Sequence, residues 1–571
     1  MLDLIVRGGV LVDGTGAPRA AGDIGVRDGR IVAIGHVDES AASTIDADGA
    51  IVAPGFIDVH THYDAQVMWD PALTPSSIHG VTTVMAGNCG FSVAPLRPDT
   101  AEYLMSMLAR VEGMPLVALE SAVAWDWEST ADYFDRVDER AALNMGFMVG
   151  HSAIRSAVMR GEANEREATP AELDAMVALL REGLAAGGMG FSTSLARTHL
   201  DASGDPVPSR AASTEELLRL AEVCGEFSGT SLEMVPQAGG RGFDDATRSL
   251  MIAMSARSGR ALNWNVVLAH SKNRDEVTDK LAVGDEARAE GGRVLGLLMP
   301  MPMVLRLNLD SGFVLDMLPG WEKPMALPHD EKVAMLHDPV GRAHLRDLSA
   351  QGEPPSPFGR WERYVLWECF SPETKRFEGR LVGDIAREEG RDPFDVLVDI
   401  ALVDDLRTTF GYPQRGDGPE DWAELGRRLQ DERVLIGGSD AGAHLDMINT
   451  FSYATSLLQH GVREHQLLTT EDAVHLLTQV PADAFGLHER GVLREGACAD
   501  LVLFDEDTVG AGPIHTRADV PGGSSRLYAD STGVSHVIVN GTPVISGGNI
   551  TGATPGGVLR SGRDTVTQPA R

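Results

Sequence analysis

The sequence predicts an α/β protein with a (β/α)8 TIM-like barrel and a small β-sandwich domain that is built from both chain termini. Short apolar runs alternate with helical stretches through the middle of the chain, which is typical of parallel strands joined by helices. Both ends show strand–turn–strand patterns without a helical period. The length of 571 residues is enough for a barrel and a smaller second domain.

The two ends of the chain predict the β-sandwich. Residues 4–14 and 23–35 have the composition of short strands with glycine turns, and Asp28-Gly29 is a hairpin turn. Residues 499–505 and 534–544 repeat this pattern near the other end. We therefore expect the first part of the sandwich over residues 1–54 and the second part, with a polar tail, over residues 486–571.

The region between them, residues 55–485, is expected to form the barrel. Eight apolar runs of strand length occur in order, at residues 51–59, 81–86, 145–150, 189–192, 231–235, 266–270, 294–298 and 434–440. A helix is expected from Pro170, because Thr169 is a favourable cap and proline suits the first turn. Residues 300–363, rich in Pro, Met, Trp and charge, break this alternation and predict an inserted loop or lid.

Charge and cysteine content exclude several classes of function. The chain has 49 basic and 83 acidic residues, a net charge of −34, and no long Lys/Arg run, so we expect no nucleic-acid or membrane partner. Its four cysteines are far apart, which indicates a reducing compartment rather than a disulfide framework. There is neither an N-terminal leader nor an apolar stretch of membrane-spanning length, so we expect a soluble cytoplasmic protein.

Several predicted strands end in side chains that bind metals. His60-Thr61-His62 closes the first long run, and both imidazoles point to the same side of an extended strand. Later runs end in or lead into Cys89, His151, Glu233, His270 and Asp440. An isolated pair of histidines, a lone buried cysteine or an Asp in a turn would each be explained by packing. Together, at the ends of barrel strands, they predict a shared metal site.

The chain resembles the amidohydrolase superfamily and, within it, the N-acyl-D-amino-acid deacylase (D-aminoacylase) group. The resemblance extends from about residue 4 to residue 560. Its motifs are the segment from Pro54 to Asp64, Gly87-Asn88-Cys89-Gly90, Gly150-His151, Ala269-His270-Ser271-Lys272, Gly438-Ser439-Asp440, and the closing segments at residues 490–502 and 539–541. The Gly-Asn-Cys-Gly motif is what indicates the deacylase group.

The resemblance implies a hydrolase that depends on one or two zinc ions. His60 and His62 would bind one metal together with Asp440, while Cys89 would be a bridging or strong thiolate ligand and His270 would bind a second metal. One departure puts the binuclear arrangement in doubt: Glu233 stands where the group has a histidine. Glu233 is therefore expected to be a metal ligand, a residue that supports the ligands, or a substrate contact.

The implied reaction is cleavage of a linear amide bond. Metal-activated hydroxide would attack the amide carbon, and Asp440 would act as general base and return the proton to the leaving nitrogen. By resemblance, Lys272 would bind a substrate carboxylate, and the alternative is a solvated loop lysine. His151 would either polarise the substrate or hold a loop.

Two alternatives remain open at this point. The first is hydrolysis of a cyclic amide such as a hydantoin, dihydropyrimidine or lactam. Those relatives use a carboxylated lysine, and no predicted strand in the middle of this chain ends in Lys. The second is a non-catalytic scaffold with the amidohydrolase fold, for which the change at Glu233 is the single supporting observation. The expected partner is a small N-acylated molecule, and the size of the barrel is compatible with a homo-oligomer.

Overall fold

The chain begins with five strands. The computed structural model describes residues 1–237, 242–311, 314–315, 318–351, 356–413 and 416–569. The first strands are β1 (Leu2–Leu11), β2 (Ala20–Arg27), β3 (Arg30–Gly35), β4 (Ala41–Asp46) and β5 (Ile51–Pro54). The hairpin between β2 and β3 turns at Asp28 and Gly29, whose φ angles are 51° and 72°. This left-handed geometry is what an Asp-Gly turn favours, so the predicted hairpin is present.

The middle of the chain contains two parallel sheets. Its strands are β6 (Phe56–Asp58), β7 (Val81–Ala86), β8 (Asn144–Phe147), β9 (Val149–Gly150), β10 (Gly190–Ser194), β11 (Ser231–Val235), β12 (Ala261–Val267), β13 (Arg293–Leu298), β14 (Val365–Glu368), β15 (Thr409–Gly411) and β16 (Val434–Ile436). One sheet has the order β6-β7-β8 and the other β9-β10-β11-β12-β13-β16, while β14 and β15 form a separate pair. In the three-stranded and the six-stranded sheet, all neighbouring strands are parallel.

Main-chain hydrogen bonds connect these two sheets at both edges. Met189 N, just before β10, donates to Phe147 O at the end of β8 (2.7 Å). At the other edge, His62 N donates to Ala441 O (2.8 Å) and Asp440 N donates to His60 O (3.2 Å). The segments that follow β6 and β16 therefore lie side by side, which brings the two histidines next to Asp440.

Helices separate most of the parallel strands. They are α1 (Tyr63–Gln66), α2 (Ala101–Val111), α3 (Leu116–Ala122), α4 (Thr130–Val137), α5 (His151–Met159), α6 (Pro170–Ala185), α7 (Thr214–Cys224), α8 (Asp245–Ser258), α9 (Arg274–Ala289), α10 (Glu322–Met325), α11 (His329–His337), α12 (Pro339–Ser349), α13 (Val382–Glu389), α14 (Pro393–Val403), α15 (Pro419–Leu429), α16 (Tyr453–Ser456), α17 (Thr470–Leu477) and α18 (Gln479–Phe485). The predicted cap of α6 is present, since Thr169 and Glu172 bond each other's main chain reciprocally. In the described part of the chain, no helix is both long and apolar enough to cross a membrane.

A nine-stranded sheet joins the two ends of the chain. The final strands are β17 (Leu501–Phe504), β18 (Gly510–Ala511), β19 (His515–Val520), β20 (Ser524–Tyr528), β21 (Ser531–Thr532), β22 (Val534–Val539), β23 (Thr542–Ser546) and β24 (Asn549–Ile550). The sheet has the order β24-β23-β22-β17-β5-β1-β2-β3, and β4 pairs with β1. Because β5 lies between β1 and β17, the N-terminal and C-terminal strands share one sheet. The structure is thus of the α/β class and has a β-rich part that contains both ends of the chain. Both features agree with the fold predicted from the sequence.

The predicted irregular insert at residues 300–363 contains helices in its described part. The helices α10, α11 and α12 lie there, and residues 312–313, 316–317 and 352–355 are outside the described residues. The insert packs with α13 and α14 around a hydrophobic core of its own, in which Trp321 stacks on Trp361 at 5.3 Å between ring centroids. Short helices interrupted by prolines carry little periodicity, which is why the sequence pattern indicated a loop.

Candidate metal centre

The two histidines and the cysteine predicted from their motifs lie together. β6 ends at Asp58, and His60 and His62 follow it as buried side chains. Cys89 Sγ lies 3.4 Å from His60 Nε2 and 3.7 Å from His62 Nε2. The donor atoms of these three side chains, called the metal group below, all lie within 4.8 Å of one another. Two imidazoles and a thiol at this spacing form a donor set suited to zinc.

A tight turn after β7 positions Cys89. Gly87 and Cys89 have positive φ angles of 75° and 57°. A Cβ atom on Gly87 would lie 2.4 Å from Met148 O, so this turn requires glycine. Asn88 Nδ2 donates to Thr61 O (3.2 Å) and to Met85 O (3.0 Å). The Gly-Asn-Cys-Gly motif therefore fixes the thiol next to the histidine segment.

Asp440 completes the group from the segment after β16, at the adjacent edge of the other parallel sheet. It follows β16 after Gly437, Gly438 and Ser439 and has a φ angle of 50°. Its Oδ1 lies 3.0 Å from His60 Nε2 and 3.7 Å from His62 Nε2, and its side chain is 32% exposed. Burial acts to raise the pKa of Asp440, but the hydrogen bond from His60 and the charges of both histidines outweigh it and lower the pKa to about 2. Asp440 is thus an accessible carboxylate beside the histidines.

Glu233 lies directly behind Cys89. It is fully buried in β11, and its Oε2 accepts a hydrogen bond from Cys89 N (2.8 Å). Its Oε1 lies 4.0 Å from His60 Nδ1. Burial raises the pKa of Glu233 to about 7. The carboxylate therefore contacts the main chain of one predicted ligand and borders the ring of another.

Asn265 was missed by the sequence reasoning. One of its side-chain amide atoms lies 3.4 Å from His60 Nε2 and 3.5 Å from Cys89 Sγ. When the amide nitrogen is turned toward Glu233, it donates to Glu233 Oε1 (2.6 Å) and to Met234 O (3.2 Å). The amide oxygen then faces His60 and Cys89. The sequence did contain a signal for this residue. Asn263 and Asn265 are two residues apart on the otherwise apolar strand β12, so their side chains point to the same face.

Glu112 was missed as well. It follows α2 and is buried, and its Oε1 lies 3.6 Å from His62 Nδ1. Burial, together with the nearby charges of Asp440 and Asp64, raises the pKa of Glu112. No sequence signal indicated this residue, because it belongs to no motif and lies at a helix end rather than a strand end.

The other three predicted site residues lie elsewhere. β12 ends at Val267, so His270 is in the following loop, where its Nδ1 accepts from Lys272 N (3.2 Å). The predicted strand at residues 266–270 was therefore placed too late, and this geometry does not support His270 as a metal ligand. Lys272 is exposed. Both ring nitrogens of His151 are bonded at 2.8 Å, to Thr193 Oγ1 and Glu216 Oε1, which favours the loop-holding role. All three roles stay predictions.

Negative charge is concentrated around the group. Asp58 and Asp64 are buried like Glu112 and Glu233, and burial raises the pKa of each aspartate to about 7. Asp58 Oδ1 accepts from His60 N (3.3 Å), and Asp64 Oδ2 accepts from Gly87 N (3.0 Å). Buried carboxylates in such number are costly unless a cation compensates them. The electrostatics thus fit a divalent metal ion.

Comparisons with known proteins point to one family. The amidohydrolase family (Amidohydro_3) matches residues 43–312 and 372–545. N-acyl-D-aspartate deacylase from Alcaligenes xylosoxydans xylosoxydans is 30% identical over 567 residues, which cover 98% of this chain and 95% of that protein. The crystal structure of N-acyl-D-glutamate deacylase from Bordetella bronchiseptica, complexed with zinc and a phosphonate inhibitor, superposes with a TM-score of 0.65, at 29% identity and over 98% and 99% of the two chains. A D-hydantoinase from Ralstonia pickettii is 35% identical over 116 residues, 20% of this chain and 24% of that protein.

Proposed function

The chain belongs to the amidohydrolase family, and from this membership we propose that it is a zinc-dependent hydrolase of a linear amide bond, most like the N-acyl-D-amino-acid deacylases. The observation that carries the proposal is the convergence of His60, His62, Cys89 and Asp440 from three distant parts of the chain. The relatives whose sequences match along the full length support a linear substrate, whereas the sequence match to the D-hydantoinase covers one fifth of the chain.

The spacing of the four donor atoms supports a zinc site. Zinc binds imidazole at about 2.0–2.1 Å and thiolate at about 2.3 Å, so neighbouring donors around one tetrahedral ion lie about 3.3–3.6 Å apart. The distances from Cys89 Sγ to the two Nε2 atoms are 3.4 Å and 3.7 Å, and those from Asp440 Oδ1 are 3.0 Å and 3.7 Å. The spacings of His60, His62 and Cys89 therefore fit one ion, and Asp440, which lies beside both imidazoles, is the proposed fourth ligand. Glu233 remains a candidate ligand, and its bond to Cys89 N favours a supporting role.

Asp440 is the proposed general base. Bound zinc would make water a nucleophile near neutral pH and would polarise the amide carbonyl. The Asp440 carboxylate is accessible, is held by His60, and can accept the proton from water and deliver it to the leaving nitrogen. Asn88 and Gly87 keep Cys89 in its turn, and Glu112 and Glu233 border the two imidazoles, so the ligands are oriented before substrate binds.

We also propose a finer description of the fold and its surroundings. The main-chain bonds at both edges of the two parallel sheets support a single closed barrel of eight strands, with β8 and β9 as one interrupted strand. The shared nine-stranded sheet supports a second domain from residues 1–54 and 486–571, around a barrel at 55–485 that carries the insert. Four free cysteines support a cytoplasmic location. Three statements stay predictions: the substrate is a small molecule, nucleic acids and membranes are not partners, and the protein can form a homo-oligomer.

The test is metal-dependent hydrolysis of a substrate panel. Purified protein would be assayed with N-acyl D- and L-amino acids, hydantoins and lactams, before and after zinc removal, and zinc content would be measured by mass spectrometry. We expect near-stoichiometric zinc and linear amide cleavage that disappears with chelation and returns with added zinc. Full activity after verified zinc removal would contradict the mechanism. Purified protein without bound zinc and without hydrolysis would favour the scaffold alternative.

A further inference from the structure

A side-chain amide from β12 lies beside the metal group. One amide atom of Asn265 lies 3.4 Å from His60 Nε2 and 3.5 Å from Cys89 Sγ. These distances match the separation of about 3.3–3.6 Å that is expected for neighbouring donors around one zinc ion. Asn265 also lines a cavity of about 950 Å³, so this cavity lies next to the metal group. Asn265 therefore has the position of a ligand, provided that its oxygen faces the group.

The surroundings of the amide decide which of its two ends faces the metal group. The other end meets two acceptors, Glu233 Oε1 and Met234 O. An amide oxygen at that end would face only acceptors, whereas the amide nitrogen donates to Glu233 Oε1 at 2.6 Å and to Met234 O at 3.2 Å. Buried acceptors without a donor are costly, so the second orientation is the stable one. The side-chain oxygen of Asn265 therefore faces His60 Nε2 and Cys89 Sγ.

Three atoms with lone pairs thus converge in a buried place. His60 and Cys89 are both buried. In the forms that bind a metal, which are an unprotonated imidazole nitrogen and a thiolate, neither of them can donate to the Asn265 oxygen. Three acceptors that face one another without a donor are unfavourable, and a cation between them compensates all three. The oxygen of Asn265 is therefore placed to share the ion with the nitrogen and the sulfur.

Glu233 has the geometry of a residue that orients ligands. Its Oε2 accepts from Cys89 N at 2.8 Å, and its Oε1 accepts from the amide of Asn265. Both carboxylate oxygens are therefore engaged by donors. Oε1 also lies 4.0 Å from His60 Nδ1, whereas His60 faces Cys89 Sγ with its other ring nitrogen, Nε2. Glu233 thus contacts or borders three residues whose other atoms face the proposed ion.

We propose that Asn265 binds the zinc ion through its side-chain oxygen, and that Glu233 is a positioning residue that holds Asn265 in this orientation without binding the ion. The inference rests on the proposed function for the identity of the ion. Asn265 borders one imidazole and the thiol, whereas Asp440 borders both imidazoles, so the two lie at different edges of the metal group. Zinc takes four donors and sometimes five. A neutral donor in addition to Asp440 would allow Asp440 to accept a proton while the ion keeps four protein ligands.

Metal binding tests the ligand assignment without an activity assay. Competition with a chelator gives the zinc dissociation constant, and the visible absorption of Co²⁺ bound in place of zinc reports the number and type of ligands. Asn265→Leu keeps the size of the side chain and removes the oxygen donor. We expect it to raise the zinc dissociation constant by at least about 10-fold, since even residues that only support ligands contribute that much, and to change the cobalt spectrum. Asn265→Asp keeps an oxygen donor and should stay closer to the unaltered protein in both measurements.

Glu233→Gln tests the positioning role separately. Because Cys89 N requires an acceptor, the glutamine oxygen should stay there, and its amide nitrogen should face Asn265. Asn265 would then turn its oxygen toward the glutamine and its nitrogen toward the metal group. We expect zinc affinity to fall about 10- to 100-fold, with a cobalt spectrum like that of Asn265→Leu. In an Asn265→Leu background the effect of Glu233→Gln should be smaller, because no oxygen is left to turn away.

A matched variant separates these results from general damage to β12. Asn263 lies two residues earlier on the same strand and donates to Leu232 O at 3.1 Å, so Asn263→Leu should leave the cobalt spectrum and the zinc dissociation constant unchanged. Far-UV circular dichroism and the thermal midpoint show which variants fold, and Asn265→Ala replaces Asn265→Leu if the latter does not. Unchanged metal binding in the variant without the oxygen, or an equal change in Asn263→Leu, would overturn the ligand assignment. Equal effects of Glu233→Gln in both backgrounds would overturn the positioning role.

The same data separate this inference from the proposed function. If the unaltered protein hydrolyses no amide in the panel but its zinc binding depends on Asn265, the proposed function fails and the ligand assignment stands. If zinc-dependent amide cleavage is found but zinc binding does not depend on Asn265, the ligand assignment fails and the proposed function stands.

Discussion

Replacing Glu112 with glutamine should weaken zinc binding without removing a ligand. The Oε1 atom of Glu112 lies 3.6 Å from His62 Nδ1, and the buried Nδ1 has no hydrogen-bond partner in the described residues. A carboxylate behind a ligating imidazole orients the ring and raises its basicity as a ligand. Glutamine keeps the shape of the side chain and removes the charge, so the variant isolates the electrostatic contribution of Glu112.

The distance sets the scale of the effect. A full positive charge on the ring would interact with Glu112 at 3.6 Å by about 5 kcal/mol at an effective dielectric constant of about 20. A coordinated imidazole carries part of that charge, so the expected loss is smaller. Removing such carboxylates typically costs about 10- to 100-fold in metal affinity, or about 1.4–2.8 kcal/mol. We expect the zinc dissociation constant of Glu112→Gln to rise within that range.

Competition with a chelator of known zinc affinity measures this constant directly. Activity at saturating zinc should fall much less than zinc affinity, because the ligands and Asp440 are intact. Glu120→Gln, an exposed glutamate on α3, provides the matched control and should bind zinc like the unaltered protein. A zinc dissociation constant for Glu112→Gln within twofold of the control would refute the role of this carboxylate.

Three further substitutions test the site and its turn. Asp440→Asn should lower kcat by about 10²- to 10⁴-fold in steady-state assays while the protein still binds zinc, and unchanged kcat would exclude Asp440 as the base. Cys89→Ala should abolish stoichiometric zinc content, measured by mass spectrometry, because a thiolate donor is lost; retention of a full equivalent would contradict its assignment as a ligand. Gly87→Ala places a Cβ atom 2.4 Å from Met148 O at a φ angle of 75° and should destabilise the fold by about 1–3 kcal/mol in urea unfolding, whereas a change below about 0.5 kcal/mol would show that the turn adapts.

The sequence predicted the parts of the site that are encoded locally. His60, His62, Cys89 and Asp440 each lie in a short motif directly after a strand, so their positions follow from strand ends and turn chemistry. Glu112 follows a helix and reaches His62 because of how α2 packs, which depends on contacts between distant segments. Such contacts leave no periodicity in a single sequence.

The strand β12 shows how a small error in a boundary changes a functional assignment. The apolar run at residues 266–270 suggested that the strand ends at His270, but β12 spans Ala261–Val267. Trp264 and the two asparagines made the true strand look less apolar than the segment after it. Asn265 consequently occupies the place beside Cys89 where a histidine was expected. Strand boundaries are the least reliable part of a pattern-based prediction, and here one boundary decides which residue lies beside His60 and Cys89.

The proposed metal site and the cavity beside it are built by different parts of this chain. The residues next to the proposed zinc are fixed by main-chain constraints, namely the left-handed turns at Cys89 and Asp440 and the bonds of Asn88. The cavity beside them is lined instead by loops after β10 and β11 and by the insert, through residues such as Arg210 and Lys323. Loop residues can change without disturbing those turns. A chain that keeps the metal group but changes these loops would therefore retain the hydrolytic reaction and act on a different class of amide.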